Sequence, residues 1–126
     1  MNLVVVAAGG ALGAVLRHLV VAASLRMFGP GLPLGTLAVN VAGSFLMGVA
    51  AVLLLERFPG SWRLGGPLLM TGVLGGFTTF SAFSLDALYL FERGRSAVAL
   101  AYVAASVILS IAALAAGLAL ARRVVA

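Results

Sequence analysis

Four apolar runs, Leu3 to Phe28, Leu34 to Leu55, Leu64 to Phe91 and Ala97 to Ala121, take up nearly the whole chain. Each is long enough to cross about 30 Å of hydrocarbon at about 1.5 Å per residue, so the pattern predicts an all-α membrane protein of four transmembrane helices. The connections are short and rich in turn residues: Gly29-Pro30-Gly31-Leu32-Pro33, then Arg57-Phe58-Pro59-Gly60-Ser61, then Glu92-Arg93-Gly94-Arg95. Trp62 beside Arg63 marks a membrane interface. The first run has no basic leader and continues past Arg17, so it reads as a retained helix rather than a signal peptide. No repeat or long linker divides the chain, and 1–126 is expected to be a single four-helix domain.

The polar positions inside these runs are few and ordered. The second run carries Thr36, Asn40, Ser44 and Gly48 at successive four-residue steps, one narrow stripe on an otherwise apolar helix. Such a stripe is either helix-packing glue or the lining of a polar pathway, and small residues recur at the same spacing as Gly9/Gly13 and Gly72/Gly76. Asn40 favours the pathway, because its amide brings two donors and an acceptor to mid-membrane, where unmet groups are costly. The fourth run repeats the device with Tyr102, Ser106 and Ser110, although serine hydroxyls also bond back to their own helix.

The third run is the least regular. Within Gly72-Val73-Leu74-Gly75-Gly76-Phe77-Thr78-Thr79-Phe80-Ser81-Ala82-Phe83-Ser84, adjacent glycines followed by two threonines make poor helix interior. They predict a break in mid-membrane that frees backbone groups, a recurrent way of building ion sites. Phe77, Phe80 and Phe83 follow at three-residue steps and are expected on roughly one face. Phenyl stripes often only pack, but a ring's electropositive edge can touch a small anion without a full charge that would trap it.

Composition narrows the class. The chain is 63% apolar and 9% charged, with a mean hydropathy of +1.23, against roughly 45–50% and about a quarter in soluble domains. The lipid bilayer is therefore its expected surroundings. All eight basic residues are Arg, against three acids, for a net charge of +5. Because most lie at the loops, orientation signals and headgroup contacts account for them, and no nucleic-acid partner is expected. The absence of cysteine excludes disulfides and thiolate chemistry. His18 is the sole histidine, and with no carboxylate pair and no phosphate-binding loop the chain does not read as an enzyme.

Arg17 is the charge that does not sit at a loop. At its depth it costs at least about 2.5–3.5 kcal/mol to insert, so it should face protein or water. It attracts an anion or closes an assembly interface, or else it snorkels or caps carbonyls of a neighbouring helix. A cation pathway would show acidic rings or a dense carbonyl filter, yet the only acid within a run is Asp86, toward the end of the third. The spans instead supply donors, namely Thr36, Asn40, Ser44, Ser81, Ser106, Ser110 and Arg17, and the balance favours a small anion.

An even number of spans places both termini and the second loop on one side, with Arg57, Arg63, Arg122 and Arg123; the other side holds Arg26, Arg93 and Arg95. That bias is too small for the positive-inside rule to choose an orientation. The chain is expected to insert both ways and to pair as an antiparallel, dual-topology homodimer about an axis in the membrane plane. Larger transporters obtain that symmetry from inverted repeats.

Taken together, Gly9-Gly10-Ala11-Leu12-Gly13-Ala14 leading to Arg17, Gly35-Thr36-Leu37-Ala38-Val39-Asn40 with Gly43-Ser44-Phe45, and Gly75-Gly76-Phe77-Thr78-Thr79-Phe80-Ser81 resemble the Fluc or CrcB fluoride channels of microbes. The likeness runs along the whole chain. It implies a passive, fluoride-selective channel of the cell inner membrane, exporting cytoplasmic fluoride through two pores per antiparallel homodimer. On this resemblance Phe80 and Phe83 look like the family's phenylalanine box and Asn40 like its pore asparagine. Tyr102, Ser106 and Ser110 match its fourth-helix polar track, and Arg17 its first-helix arginine. The resemblance also implies a structural sodium ion at the dimer centre, held by backbone carbonyls at positions matching Gly75 and Thr78, and no organic cofactor. Two positions depart from the pattern: Ala82 stands where Ser or Thr is common, so that step of the track would use water, and His18 stands where Tyr is frequent.

Two other classes compete. A small proton-coupled transporter of dual topology needs a carboxylate in its first helix, which here carries Arg17 and no acid. In a purely structural membrane subunit every polar stripe would be glue. The arginine balance generates a prediction: C-terminal tags will be accessible from both sides of the membrane in the same cells, and about three lysines added to the C-terminal tail will drive most copies into one orientation. One-sided access in the unmodified protein overturns the antiparallel arrangement.

Overall fold

A computed structural model describes residues 3–126, and among them all regular structure is helical. Helix α1 covers Leu3–Phe28 and α2 covers Leu34–Ala51, prolonged by a wider-wound π-helical stretch over Val52–Arg57. The third span, Pro59–Glu92, is segmented. It opens with a 3-10 turn at Pro59–Ser61 and α3 at Trp62–Gly65, continues through a π-helical Gly66–Leu74 into α4 at Gly75–Phe77, and resumes as α5 at Phe80–Glu92. Helix α6 covers Ser96–Val125. Among the described residues, four helical runs are thus long and apolar enough to cross a membrane.

The first span coincides with its apolar run, whereas the others outrun theirs. The second continues to Arg57, the third begins at Pro59, and the fourth reaches Val125. The physical reason is that arginine stems reach along the helix toward the headgroups, so the backbone stays helical beyond the last apolar residue. Two sharp turns need left-handed backbone, and each falls on glycine: Gly29 at φ 74° ends α1 and Gly94 at φ 76° follows α5.

Helices pack here by backbone approach. A Cβ added at Gly9 would lie 2.6 Å from the Leu68 carbonyl oxygen, and one at Gly76 would lie 2.6 Å from that of Gly10. Added at Gly13 it would run into the carbonyl oxygen of Val73. The two glycine pairs foreseen at four-residue spacing therefore face each other across α1 and the third span. On the far side α2 meets α6 in the same way, Gly48 against the Leu114 carbonyl and Gly117 against that of Phe45. With lipid as apolar as leucine, such approach and its dispersion contacts hold the helices together.

The bundle is inside-out relative to a soluble one. Side chains such as Val4, Leu12, Leu19, Ile108 and Ile111 are turned outward, as acyl chains require. A small interior cluster of Phe83, Ala87, Leu90, Ala99 and Tyr102 joins α5 to α6. At one end Arg122 donates to both Glu56 oxygens, at 3.1 and 2.7 Å, and at the other Arg95 Nη1 donates to the Gly31 carbonyl at 2.6 Å. The exposed ion pair is screened by solvent and adds little to stability. It marks the terminal end of the bundle, as the Arg95 contact marks the loop end.

The glycine interfaces yield a prediction. Gly117→Val will force backbone apart between α2 and α6 and cost at least about 1–3 kcal/mol, seen as lost thermal stability in detergent. Gly10→Ala, whose Cβ enters open space, will stay within about 0.5 kcal/mol of the parent. Equal stability of the two variants removes backbone approach as the organising contact.

Candidate ion pathway

The break expected in the third span falls at two residues. Thr78 (φ −81°, ψ 158°) and Thr79 (φ −153°, ψ 120°) are extended between α4 and α5. The first half is closed by Thr78, whose N–H and Oγ1 both donate to the Leu74 carbonyl, at 3.1 and 3.0 Å. The second half is opened by Thr79, whose Oγ1 accepts from the Ala82 N–H at 3.2 Å as an N-cap. The main-chain groups of Thr79 turn to the neighbouring helix. Its N–H donates to Asn40 Oδ1 at 2.7 Å and its carbonyl accepts from Asn40 Nδ2 at 2.9 Å. The asparagine amide thus pairs with an extended residue as a second strand would.

Several carbonyls lose their usual partners in consequence, those of Gly75 and Thr78 among them. In a continuous helix the Thr79 N–H would serve Gly75 and the Ala82 N–H would serve Thr78, but both donors are engaged elsewhere. Gly75 is exposed on the surface of the chain and Thr78 is half-buried. Oxygen atoms of this kind suit a hard cation, so the two positions fit the carbonyl ligation that the resemblance implies for sodium.

Beside the break lies an open groove of about 370 Å³, lined among others by Asn40, Ser44, Thr78, Phe80, Phe83, Ser106 and Ser110. Among the described residues, no charged side chain lines it. The phenyl rings of Phe80 and Phe83 lie 5.4 Å apart and tilted by 57°, and Phe83 meets Tyr102 at 5.4 Å and 45°, a tilted geometry that turns electropositive edges sideways. Phe83 is 8% exposed but Phe80 is 77% exposed. Phe77 does not belong to this row. Its ring lies over Gly43, because the extended pair Thr78–Thr79 resets the helical phase, so the single face expected for three phenylalanines is not found.

Above Phe83 the polar groups continue. Ser106 is buried, and its Oγ makes no hydrogen bond, although the Tyr102 hydroxyl is near. Tyr102 donates to Asp86 Oδ2 at 3.4 Å and also lies near Thr36. Thr36 and Asp86 line a second cavity of about 200 Å³ at the loop end, together with Tyr89 and Arg93. The arrangement runs from that cavity through Thr36 and Tyr102 to Ser106, Ser110, Ser44 and Asn40. Such a row of neutral dipoles suits a small anion that must shed water without being trapped.

Other residues singled out in the sequence lie apart. Ser81 is exposed and absent from the groove lining, its Oγ 3.4 Å from Thr79 Oγ1. Arg17 is half-buried on α1 outside both cavities and makes no hydrogen bond or ion pair with another described residue. His18 is exposed. The sequence singles out Thr78 and not Thr79; the signal that identifies Thr79 is a threonine placed to cap the helix resuming after the glycine pair.

Residues 4–118 match the family described as CrcB-like protein, Camphor Resistance (CrcB). Three similar proteins are each named fluoride-specific ion channel FluC. That of Cereibacter sphaeroides is 56% identical over 121 residues, 96% of this chain and 94% of its own length. That of Agrobacterium fabrum is 53% identical over 122 residues, 97% of each. That of Rhizobium etli is 58% identical over 120 residues, 95% of each.

Proposed function

The chain belongs to the CrcB-like family, and on that premise we propose that it is a fluoride-specific channel, a multi-pass membrane protein through which cytoplasmic fluoride leaves the cell passively. It is not an enzyme. The observation that carries the reading is the uncharged groove in which Asn40, Ser44, Ser106 and Ser110 face Phe80 and Phe83. Fluoride holds its water tightly, so a passage must replace that shell piecemeal, with hydroxyl donors on one wall and phenyl edges on the other. The proposed route leads from the loop-end cavity past Thr36 and Tyr102 to the groove, with Ala82 leaving one step to water. Ser81 stands at its outer edge, and the cationic Arg17 draws anions from deep in α1.

A single chain leaves this groove open and the Phe80 ring uncovered, at 77% exposure. A second copy inserted in the opposite orientation covers it, giving an antiparallel homodimer with one route per groove. At its centre the carbonyls of Gly75 and Thr78 would hold sodium, which when bound supplies a fixed positive charge and meets carbonyls whose usual donors are engaged elsewhere.

Fluoride efflux from liposomes containing the purified protein tests the function, with chloride as the control ion; no fluoride flux overturns it. If Phe80 and Phe83 only fill space, exchange to Ile costs about 1–3 kcal/mol of packing and flux follows the amount of folded protein. On the proposed reading Phe80→Ile and Phe83→Ile form stable dimers whose flux falls at least about tenfold, about 1.4 kcal/mol of barrier, while Phe→Met retains more. Parent-like flux in the folded Ile variants removes the rings from the route. For the cation, replacing sodium by N-methylglucamine will lower the thermal stability of the dimer as well as its flux, and Thr78→Ser will be mild because the ligand is main chain. Unchanged stability without sodium overturns the central site.

A further inference from the structure

We propose that Asn40 acts on the ion through Thr79: it is a positioning residue whose amide holds the break in the third span open. The inference rests on the channel reading above and concerns how its groove is kept in shape. Asn40 lines the groove, which invites a role as a direct donor to fluoride, but its valences are largely committed. Oδ1 takes the Thr79 N–H at 2.7 Å and one Nδ2 hydrogen goes to the Thr79 carbonyl at 2.9 Å. Only one N–H is left.

The pair sits where it decides between two backbone states. Thr79 is buried, so its main-chain groups cannot turn to water, and the alternative acceptor for its N–H is the Gly75 carbonyl four residues back. Taking that acceptor would make Thr78 and Thr79 helical and rejoin α4 to α5. Phe80 and Phe83 would then turn relative to α2 and α6, the Gly75 carbonyl would be covered, and the groove would lose its present lining. Asn40 prevents this by offering Thr79 both a donor and an acceptor at the distance of a strand partner. One side chain on α2 thereby sets the phase of α5, from which both groove phenylalanines project.

Asn40→Asp, compared with the parent at matched dimer content in liposomes, separates positioning from direct donation. A neutral carboxyl accepts from the Thr79 N–H and donates its own O–H to the Thr79 carbonyl, restoring the pair while leaving no donor for fluoride. An ionised one faces that carbonyl with two acceptors. No other titratable side chain lines the groove, and Asp86 and Tyr102 near its upper end are common to both proteins. Relative to the parent at each pH, flux of Asn40→Asp is expected to recover to within about threefold at pH 5.5 and to lie at least about tenfold lower at pH 8. A folded variant silent at both values, or parent-like at pH 8, overturns the positioning role. A parent protein that fails to conduct fluoride refutes the channel reading itself.

Discussion

In hydrocarbon no water is available to a backbone N–H or C=O, so a spanning segment must satisfy every peptide group within the protein. The third span departs from that rule at Thr78 and Thr79, and much of the surrounding structure answers the departure. Leu74 absorbs both donors of Thr78, the Thr79 hydroxyl caps α5, and the Asn40 amide takes both main-chain groups of Thr79. What is not absorbed becomes a resource. The carbonyls of Gly75 and Thr78 are deprived of their helical donors, and an oxygen with an open lone pair at membrane depth is a ready cation ligand.

This repair depends on helices being brought close enough for short side chains to reach. Asn40 spans the gap to Thr79 because α2 is seated by Gly48 and Gly117 against α6, and because Gly43 leaves room for the ring of Phe77 and the Thr78 methyl. The first half of the third span is pressed against α1 through Gly9, Gly13, Gly72 and Gly76. A methyl group at several of these points would meet backbone, which cannot move aside as a flexible side chain can. The glycines therefore act on the pathway at a distance, by fixing the height at which α2 presents its polar stripe.

Much of this was legible in the residues and some was not. The four spans, the break and the small-residue faces follow from hydropathy, from helix-poor residues and from four-residue spacing, signals that do not depend on the partner helix. Thr36, Asn40 and Ser44, and Tyr102, Ser106 and Ser110, share stripes for the same reason. Periodicity fails once the phase is broken, which is why Phe77 parts from Phe80 and Phe83. Which hydrogen-bond partner Asn40 takes is a tertiary fact, and sequence could only say that it needed one. The π-helical stretches Val52–Arg57 and Gly66–Leu74 have no comparable local signature.

A full positive charge within a narrow dry passage would bind fluoride strongly, because interactions gain strength as the dielectric falls, and a strongly bound ion leaves slowly. The polar side chains of the groove are accordingly hydroxyls and an amide, each a modest dipole, set beside the phenyl rings and the apolar Met47, Val107, Ile111 and Leu114. Charged groups lie outside it: Asp86 and Arg93 in the loop-end cavity, where Tyr102 bonds the carboxylate, and Arg17 on α1 outside both cavities. On the proposed route, attraction and passage thereby fall to different residues. With the charges kept apart, selectivity falls to how closely the dipoles approach the ion, which makes the backbone phase set at Thr79 as consequential as the identity of any lining side chain.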